Sequence, residues 1–298
     1  MEYLCVFDMD NTLLSPDKTI SQENKAAIRA LRDLGIGVTI ATGRSPFLTG
    51  KFAAELEITL PVITCNGGLL LTFPEFDDTK SEFTKSNDIQ SGNKNSQNAA
   101  SEIIWENPIH EPILKSLLLY LLDQRADFLA YSGNMVYYTH GSMAVNIFRE
   151  HNRISPEQFQ APLSEFTYED LDKPLTDICK VLLYSPTAAQ EAYVRGISGL
   201  EAATSANKAL DIMQSGSTKG RGILSLSKYL NIPPKNIAVF GDNENDVSMF
   251  TCGTFGIAMG NSTDEIKQKA RYVTGTNTES GVAQGIYRFV LPHFGVSY

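Results

Sequence analysis

The chain has 298 residues, long for one domain, and 42% of them are apolar, which excludes wholesale disorder and suits one core domain carrying an inserted second one. A formal net charge of −9 disfavours nucleic acid and anionic membrane as partners, because both need a basic face. The longest apolar run, around Leu117 to Leu122, is too short to span a bilayer, and no basic start followed by an apolar stretch announces a secretory leader.

The first element expected is a strand. Leu4-Cys5-Val6-Phe7 is apolar, too short for a helix, and ends in two carboxylates, Asp8 and Asp10. Ligands in open α/β sheets bind beyond the carboxyl ends of strands, so this end is a site candidate. Two carboxylates that close repel, and a magnesium ion between them would remove the cost. A plain turn rich in Asp and Asn is the alternative.

Ser21 can cap a helix whose Ala27, Ile28, Leu31 and Leu34 share one face and which Gly35 ends. Ile36 to Ala41 gives the next strand, so the three elements make a parallel βαβ unit. It ends in Thr42-Gly43-Arg44-Ser45-Pro46, where Thr42 offers a hydroxyl and Gly43 an open N–H for a phosphoryl oxygen. Arg44, on the same rim, can help hold a small polar substrate. A third strand, Pro61 to Cys65, ends in Asn66-Gly67-Gly68 on that rim.

From Asp77 to Ser101 the composition turns polar, and a solvated loop is expected. An amphipathic helix with Ile113, Leu114, Leu117, Leu118 and Leu121 follows. Then come a hairpin of Phe128 to Tyr131 and Met135 to Tyr138, a strand at Ile178 to Tyr184, a helix near Ala188 to Ile197 and a strand near Leu210 to Gln214. Hairpins differ from the βαβ rhythm outside, which places an inserted α+β domain at residues 81–207 between core parts 1–80 and 208–298. Tyr120, Tyr131, Tyr137 and Tyr138 are expected as core and surface aromatics.

The core resumes at Ser217 to Gly222, with Lys219 at a helix N-terminus. The macrodipole there favours anions, so the lysine hints at a bound anion that both would serve. Ile237 to Phe240 is a further strand, ending in Gly241-Asp242-Asn243-Glu244-Asn245-Asp246. Hard oxygen ligands so crowded suit magnesium, and their spacing does not match an EF-hand. Cys5, Cys65, Cys179 and Cys252 lack paired spacing and are expected as reduced thiols. His110, His140, His151 and His293 form no zinc pattern.

Asp8-Met9-Asp10-Asn11-Thr12 resembles the Asp-x-Asp-x-Thr motif of the haloacid dehalogenase superfamily. Thr42-Gly43 resembles its second motif, Lys219 its third, and Gly241-Asp242-Asn243-Glu244-Asn245-Asp246 the fourth motif of Cof-type phosphatases, in the family's order. Gly256 to Asn261 and Gly281-Val282-Ala283 extend the likeness, which covers the core and fades across the inserted block. Asn11 stands where those relatives carry glycine, and asparagine tolerates a left-handed backbone better than other residues.

The resemblance implies a doubly wound, mostly parallel, Rossmann-like α/β core with an inserted α+β cap of type IIB. It implies a magnesium-dependent phosphatase in which Asp8 is the nucleophile and Asp10 the general acid and then base. Asp8, Asp10 and Asp242 would hold the metal. Met9, Thr42, Gly43, Arg44, Asn66, Lys219 and Asn245 would contact phosphate or substrate, and Asp246 would support them. The expected partner is a small phosphorylated metabolite, sugar phosphates first, with no nucleic acid or membrane, in a cytoplasmic monomer or weak homodimer. A phosphosugar mutase on the same core and a non-hydrolytic receiver-type domain are the alternatives.

Overall fold

The structure, a computed structural model, describes residues 1–73, 101–204 and 209–296. The expected polar loop at Asp77 to Ser101 therefore lies outside the described residues, apart from Ser101 itself.

In chain order the core opens with β1 (Leu4–Phe7), α1 (Gln22–Asp33), β2 (Gly37–Ile40), α2 (Pro46–Glu55), β3 (Val62–Thr64) and β4 (Leu69–Thr72). The Ser21 side chain accepts from the Asn24 N–H, α1 buries Ala27, Ile28 and Leu31, and Gly35 leaves the helix at φ 74. These follow from local rules: a capping oxygen, one apolar stripe, and a left-handed exit that needs no Cβ.

The second block holds β5 (Glu102–Glu106), α3 (Glu111–Asp123), β6 (Phe128–Tyr131), β7 (Val136–Tyr138), α4 (Asn146–Ile154), β8 (Leu163–Glu165), β9 (Lys180–Leu183), α5 (Ala188–Arg195), β10 (Leu200–Thr204) and β11 (Leu210–Gln214). The chain then returns through α6 (Lys219–Leu230), β12 (Ile237–Gly241), α7 (Val247–Thr251), β13 (Phe255–Ala258) and β14 (Tyr272–Val273). No helix among the described residues is long and apolar enough to cross a membrane.

The core sheet runs β14-β13-β12-β1-β2, every pair parallel, with β12 and β1 buried throughout. A six-stranded sheet, β10-β11-β9-β6-β7-β8, forms the inserted unit, and β3-β4-β5 make a small antiparallel sheet between the two. A receiver-type domain would need no such second sheet.

Both expected boundaries, at residues 81 and 208, move. β5 pairs with β4 and not with the six-stranded sheet, so the inserted sheet begins only after Glu106. β11 pairs antiparallel with both β9 and β10, so the inserted sheet extends to Gln214 and the core resumes after it. An apolar strand after a polar break carries no mark of which sheet it joins; backbone pairing decides that.

The aromatics fall as expected. Tyr131 packs on Phe148, Tyr137 meets Phe166 edge-on, Tyr120 stacks on Tyr193, and Arg149 lies over Tyr138. All four cysteines are free thiols.

The two crossings between core and insertion lie side by side. The Asn107 N–H donates to the Gly68 carbonyl at 2.8 Å, and Asn107 Nδ2 donates to Ser217 Oγ at 2.9 Å. Gly67, at φ 90, passes so close that a Cβ there would meet the Thr218 carbonyl at 2.0 Å. Only glycine fits that approach.

Candidate active site

Parallel register builds the site. Phe7 lies level with Ile40 on one side and Phe240 on the other, so Asp8, Thr42 and Asp242 leave the same edge of the sheet within two residues of that level. The Asp8 N–H still donates to the Phe240 carbonyl at 3.0 Å, which holds the first carboxylate at the very end of the ladder. Asn11 makes the turn that follows at φ 60, the left-handed backbone its residue type allows.

Lys219 begins α6, with Thr218 as the capping residue. It is 1% exposed, and its Nζ lies 2.6 Å from Asp8 Oδ1 and 2.6 Å from Asp246 Oδ1. Burial works against its charge, but the Asp246 and Asp8 carboxylates outweigh that and hold the ammonium above the ordinary lysine range. The anions that a lysine at a helix start called for are thus side chains of this protein. Asp246 spends its other oxygen on the backbone N–H groups of Asp242 and Asn243, at 2.8 and 3.0 Å, so it fixes the loop and the lysine together.

Asp242 accepts from the Thr12 hydroxyl at 2.8 Å. Burial, and then the Asp246 charge, push its carboxyl up to about 6, against the Thr12 hydrogen bond. Asp8 is raised well above the carboxylate range, first by burial and then by Asp246, with Lys219 opposing. Oxygens of Asp8, Asp242 and Asp246 lie within 4.8 Å of one another. Ionised, these three carboxylates exceed the one ammonium by two charges. That excess equals one divalent cation, and the donors are all hard oxygens, so the residues fit a magnesium-like ion. Because both oxygens of Asp246 are already engaged, Asp8 and Asp242 are the carboxylates left to face it.

Asp10 sits differently. Arg44 donates to both its oxygens, Nε to Oδ2 at 2.8 Å and Nη2 to Oδ1 at 2.7 Å, and Lys18 Nζ adds a third bond at 2.8 Å. Burial raises its pKa, but these two cations outweigh it and hold the carboxyl well below the usual carboxylate range. Arg44, expected on the substrate, is here engaged by Asp10.

Thr42 is buried, and its Oγ1 accepts from the Arg44 N–H at 3.2 Å. Asn66, also expected on the substrate, uses both ends of its amide within the protein: Nδ2 donates to Asp211 Oδ2 at 3.2 Å and Oδ1 accepts from Asn245 Nδ2 at 2.9 Å. The Met9 side chain is fully buried in the core, which leaves its main chain as what it can offer.

The structure thus gathers Asp8, Asp10, Thr42, Gly43, Asn66, Lys219, Asp242, Asn245 and Asp246 at one rim. It adds partners that sequence reasoning assigned no role: Thr12, Lys18, and Lys180 with Asp211. A lone charge inside an apolar strand was a usable signal for Lys180; Lys18 carried none.

Comparison with known proteins agrees with this geometry. A family model described as haloacid dehalogenase-like hydrolase matches residues 5–98 and 92–286. The 5-amino-6-(5-phospho-D-ribitylamino)uracil phosphatase YitU of Bacillus subtilis is 28% identical, over 99% of this chain and 98% of its own length. The pyridoxal phosphate phosphatase YbhA of Escherichia coli is 26% identical, over 95% of this chain and 97% of its own. Among solved structures, the subclass IIB sugar phosphatase BT4131 shares the fold at a TM-score of 0.73 and 20% identity, covering 99% of this chain and all of that one. With the acidic rim, the buried lysine and the inserted sheet accounted for together, the chain belongs to the haloacid dehalogenase-like hydrolases, as a phosphoric monoester hydrolase of the Cof type.

Proposed function

We propose that the protein is a magnesium-dependent phosphatase of small phosphate monoesters, acting through an aspartyl phosphate on Asp8. Sugar phosphates come first, and nucleoside monophosphates or pyridoxal phosphate belong to the same class. The observation that carries this reading is the Lys219 ammonium held 2.6 Å from both Asp8 and Asp246 beside Asp242. The ion would be held by the Asp8 carboxylate, the Asp10 carbonyl and Asp242, and would neutralise charge on the phosphoryl oxygens.

Thr42, Gly43, Lys219 and Asn245 hold the phosphoryl oxygens, and Asp246 orients Lys219. An Asp8 oxygen attacks phosphorus as the ester bond breaks, and the leaving oxygen takes the Asp10 proton. Arg44 and Lys18 then stabilise the carboxylate so formed, which is the direction in which they bias Asp10. An arriving phosphate dianion works the other way and favours the protonated acid. In the second half Asp10 takes a proton from water, the water oxygen attacks phosphorus, and the bond to Asp8 breaks to release inorganic phosphate.

The inserted sheet joins the core through two adjacent crossings at this rim, which suits it to act as a lid, and a closed lid would exclude a macromolecule. That supports a small substrate, as do the names of the relatives. A cytoplasmic monomer or weak homodimer completes the reading.

The test is kcat/KM with magnesium across sugar phosphates, nucleoside monophosphates, pyridoxal phosphate and a folded phosphoprotein. A clear preference for the phosphoprotein overturns the substrate class. Asp8→Asn should abolish turnover, since an amide does not attack phosphorus; retention of about a tenth of the rate or more rules out the covalent route.

A further inference from the structure

Cys179-Lys180-Val181-Leu182-Leu183 is an apolar stretch with one charge, and so is Leu210-Asp211-Ile212-Met213. β9 and β11 are antiparallel neighbours in which Asp211 lies opposite Leu182 and Met213 opposite Lys180. Lys180 and Leu182 are two positions apart, so Lys180 and Asp211 are diagonal neighbours on one face of the inserted sheet. Their side chains pair at 2.7 Å, each no more than 6% exposed.

Both groups reach out of their own sheet into the core. Lys180 Nζ donates to the Gly43 carbonyl at 2.9 Å, and Asp211 Oδ2 accepts from Asn66 Nδ2 at 3.2 Å. Asn66 in turn accepts from Asn245 through its Oδ1. Its amide also lies directly on Gly43, where a Cβ would meet Asn66 Oδ1 at 2.8 Å. Asn66 holds a left-handed backbone, φ 54 and ψ 33, a conformation that surrounding contacts must maintain.

A buried ion pair is a poor device for stability alone, since two apolar side chains of similar size commonly serve as well. The Asp211 carboxylate is not arranged for best stability either: its Oδ1 is buried without a hydrogen-bond partner among the described residues. What the pair does have is a direct bond to Gly43 and, through Asn66, a connection to Asn245, the two residues read above as phosphate contacts.

We propose that Lys180 and Asp211 are positioning residues, an ion pair on the inserted domain that sets Gly43 and Asn66, and through Asn66 the amide of Asn245, for phosphate. The proposal rests on the reading of Gly43 and Asn245 as phosphate contacts. It goes beyond that reading in making the phosphate site a joint product of the two domains. The lysine fixes the peptide whose next element is α2, and the aspartate fixes which way the Asn66 amide faces, so that its oxygen is presented to Asn245.

The paired variant Lys180→Met with Asp211→Val removes both charges and stays close to the native volume, and so should fold. Inorganic phosphate as a competitive inhibitor of p-nitrophenyl phosphate hydrolysis reads the site. The paired variant should raise the inhibition constant and KM about tenfold, well below the melting temperature, with kcat changed less. A folded paired variant whose inhibition constant stays within about twofold of wild type overturns the proposal, because distant structural changes add independently and leave the site alone.

Should the paired variant not fold, Asp211→Asn and Asn66→Ala, singly and together, decide the matter. Positioning through Asn66 makes the combined variant no worse than Asn66→Ala alone, and simple additivity overturns it. A wild-type protein that neither hydrolyses the ester nor is inhibited by phosphate would instead overturn the phosphate-site reading, and the proposal with it.

Discussion

Replacing Asp242 by asparagine should stabilise the metal-free protein at neutral pH while removing its activity. The carboxyl is buried beside Asp246, and burial and that charge raise its pKa from 3.8 to about 6. An acid raised on folding holds a proton in the native state that the unfolded chain has already lost. Between those two values stability therefore falls as pH rises, and above about pH 6 the full penalty stands. At about 1.4 kcal/mol for each tenfold in proton concentration, that penalty is about 3 kcal/mol. Asparagine keeps the size and an oxygen for the Thr12 hydroxyl but carries no charge. In chelator at pH 8 the variant should then melt higher than wild type, by about 2–4 °C for each kcal/mol recovered, and at pH 4 the difference should shrink to less than about 1 kcal/mol. Magnesium should reverse the order, because only wild type gains by binding it. Thermal melts at both pH values, with chelator and with magnesium, alongside kcat/KM, make the measurement. A variant that melts lower than wild type at pH 8 in chelator, or a difference that does not change with pH, refutes the reasoning.

Lys219→Met should cost about 3–5 kcal/mol, because it leaves Asp8 and Asp246 buried without their cation, and chemical denaturation will show whether it does. Arg44→Gln removes a bidentate partner from Asp10, whose carboxyl Arg44 and Lys18 hold low. The limb of the kcat/KM profile that reports the acid should move to higher pH, and an unmoved limb takes Asp10 out of that role. Exhaustive chelation should abolish activity and magnesium restore it, while calcium inhibits through its larger, looser coordination; full activity in chelator excludes Asp242 as a ligand.

Much of the core was legible in the sequence. The strand end at Phe7, a second strand within Ile36 to Ala41, the Ser21 cap, the Gly35 exit and the left-handed Asn11 follow from rules that act over a few residues: burial of a short apolar run, a capping oxygen, and the sterics of φ. The site's membership was legible too, because polar residues stood where buried strands stop.

How those residues are used was decided by the tertiary structure. Lys219 finds Asp8 across 211 positions and Thr12 finds Asp242 across 230, contacts that exist only because parallel strands align in register. Arg44 and Asn66 illustrate the same point. Each stood free in the sequence as a substrate contact, and folding supplied Asp10 to one and Asp211 with Asn245 to the other. The placement of β11 was equally open, since its residues suit any buried strand and only hydrogen bonds to β9 and β10 assign it to the inserted sheet. Local sterics and apolar periodicity are written along the chain, whereas a hydrogen-bond partner depends on which distant segments the sheets bring together.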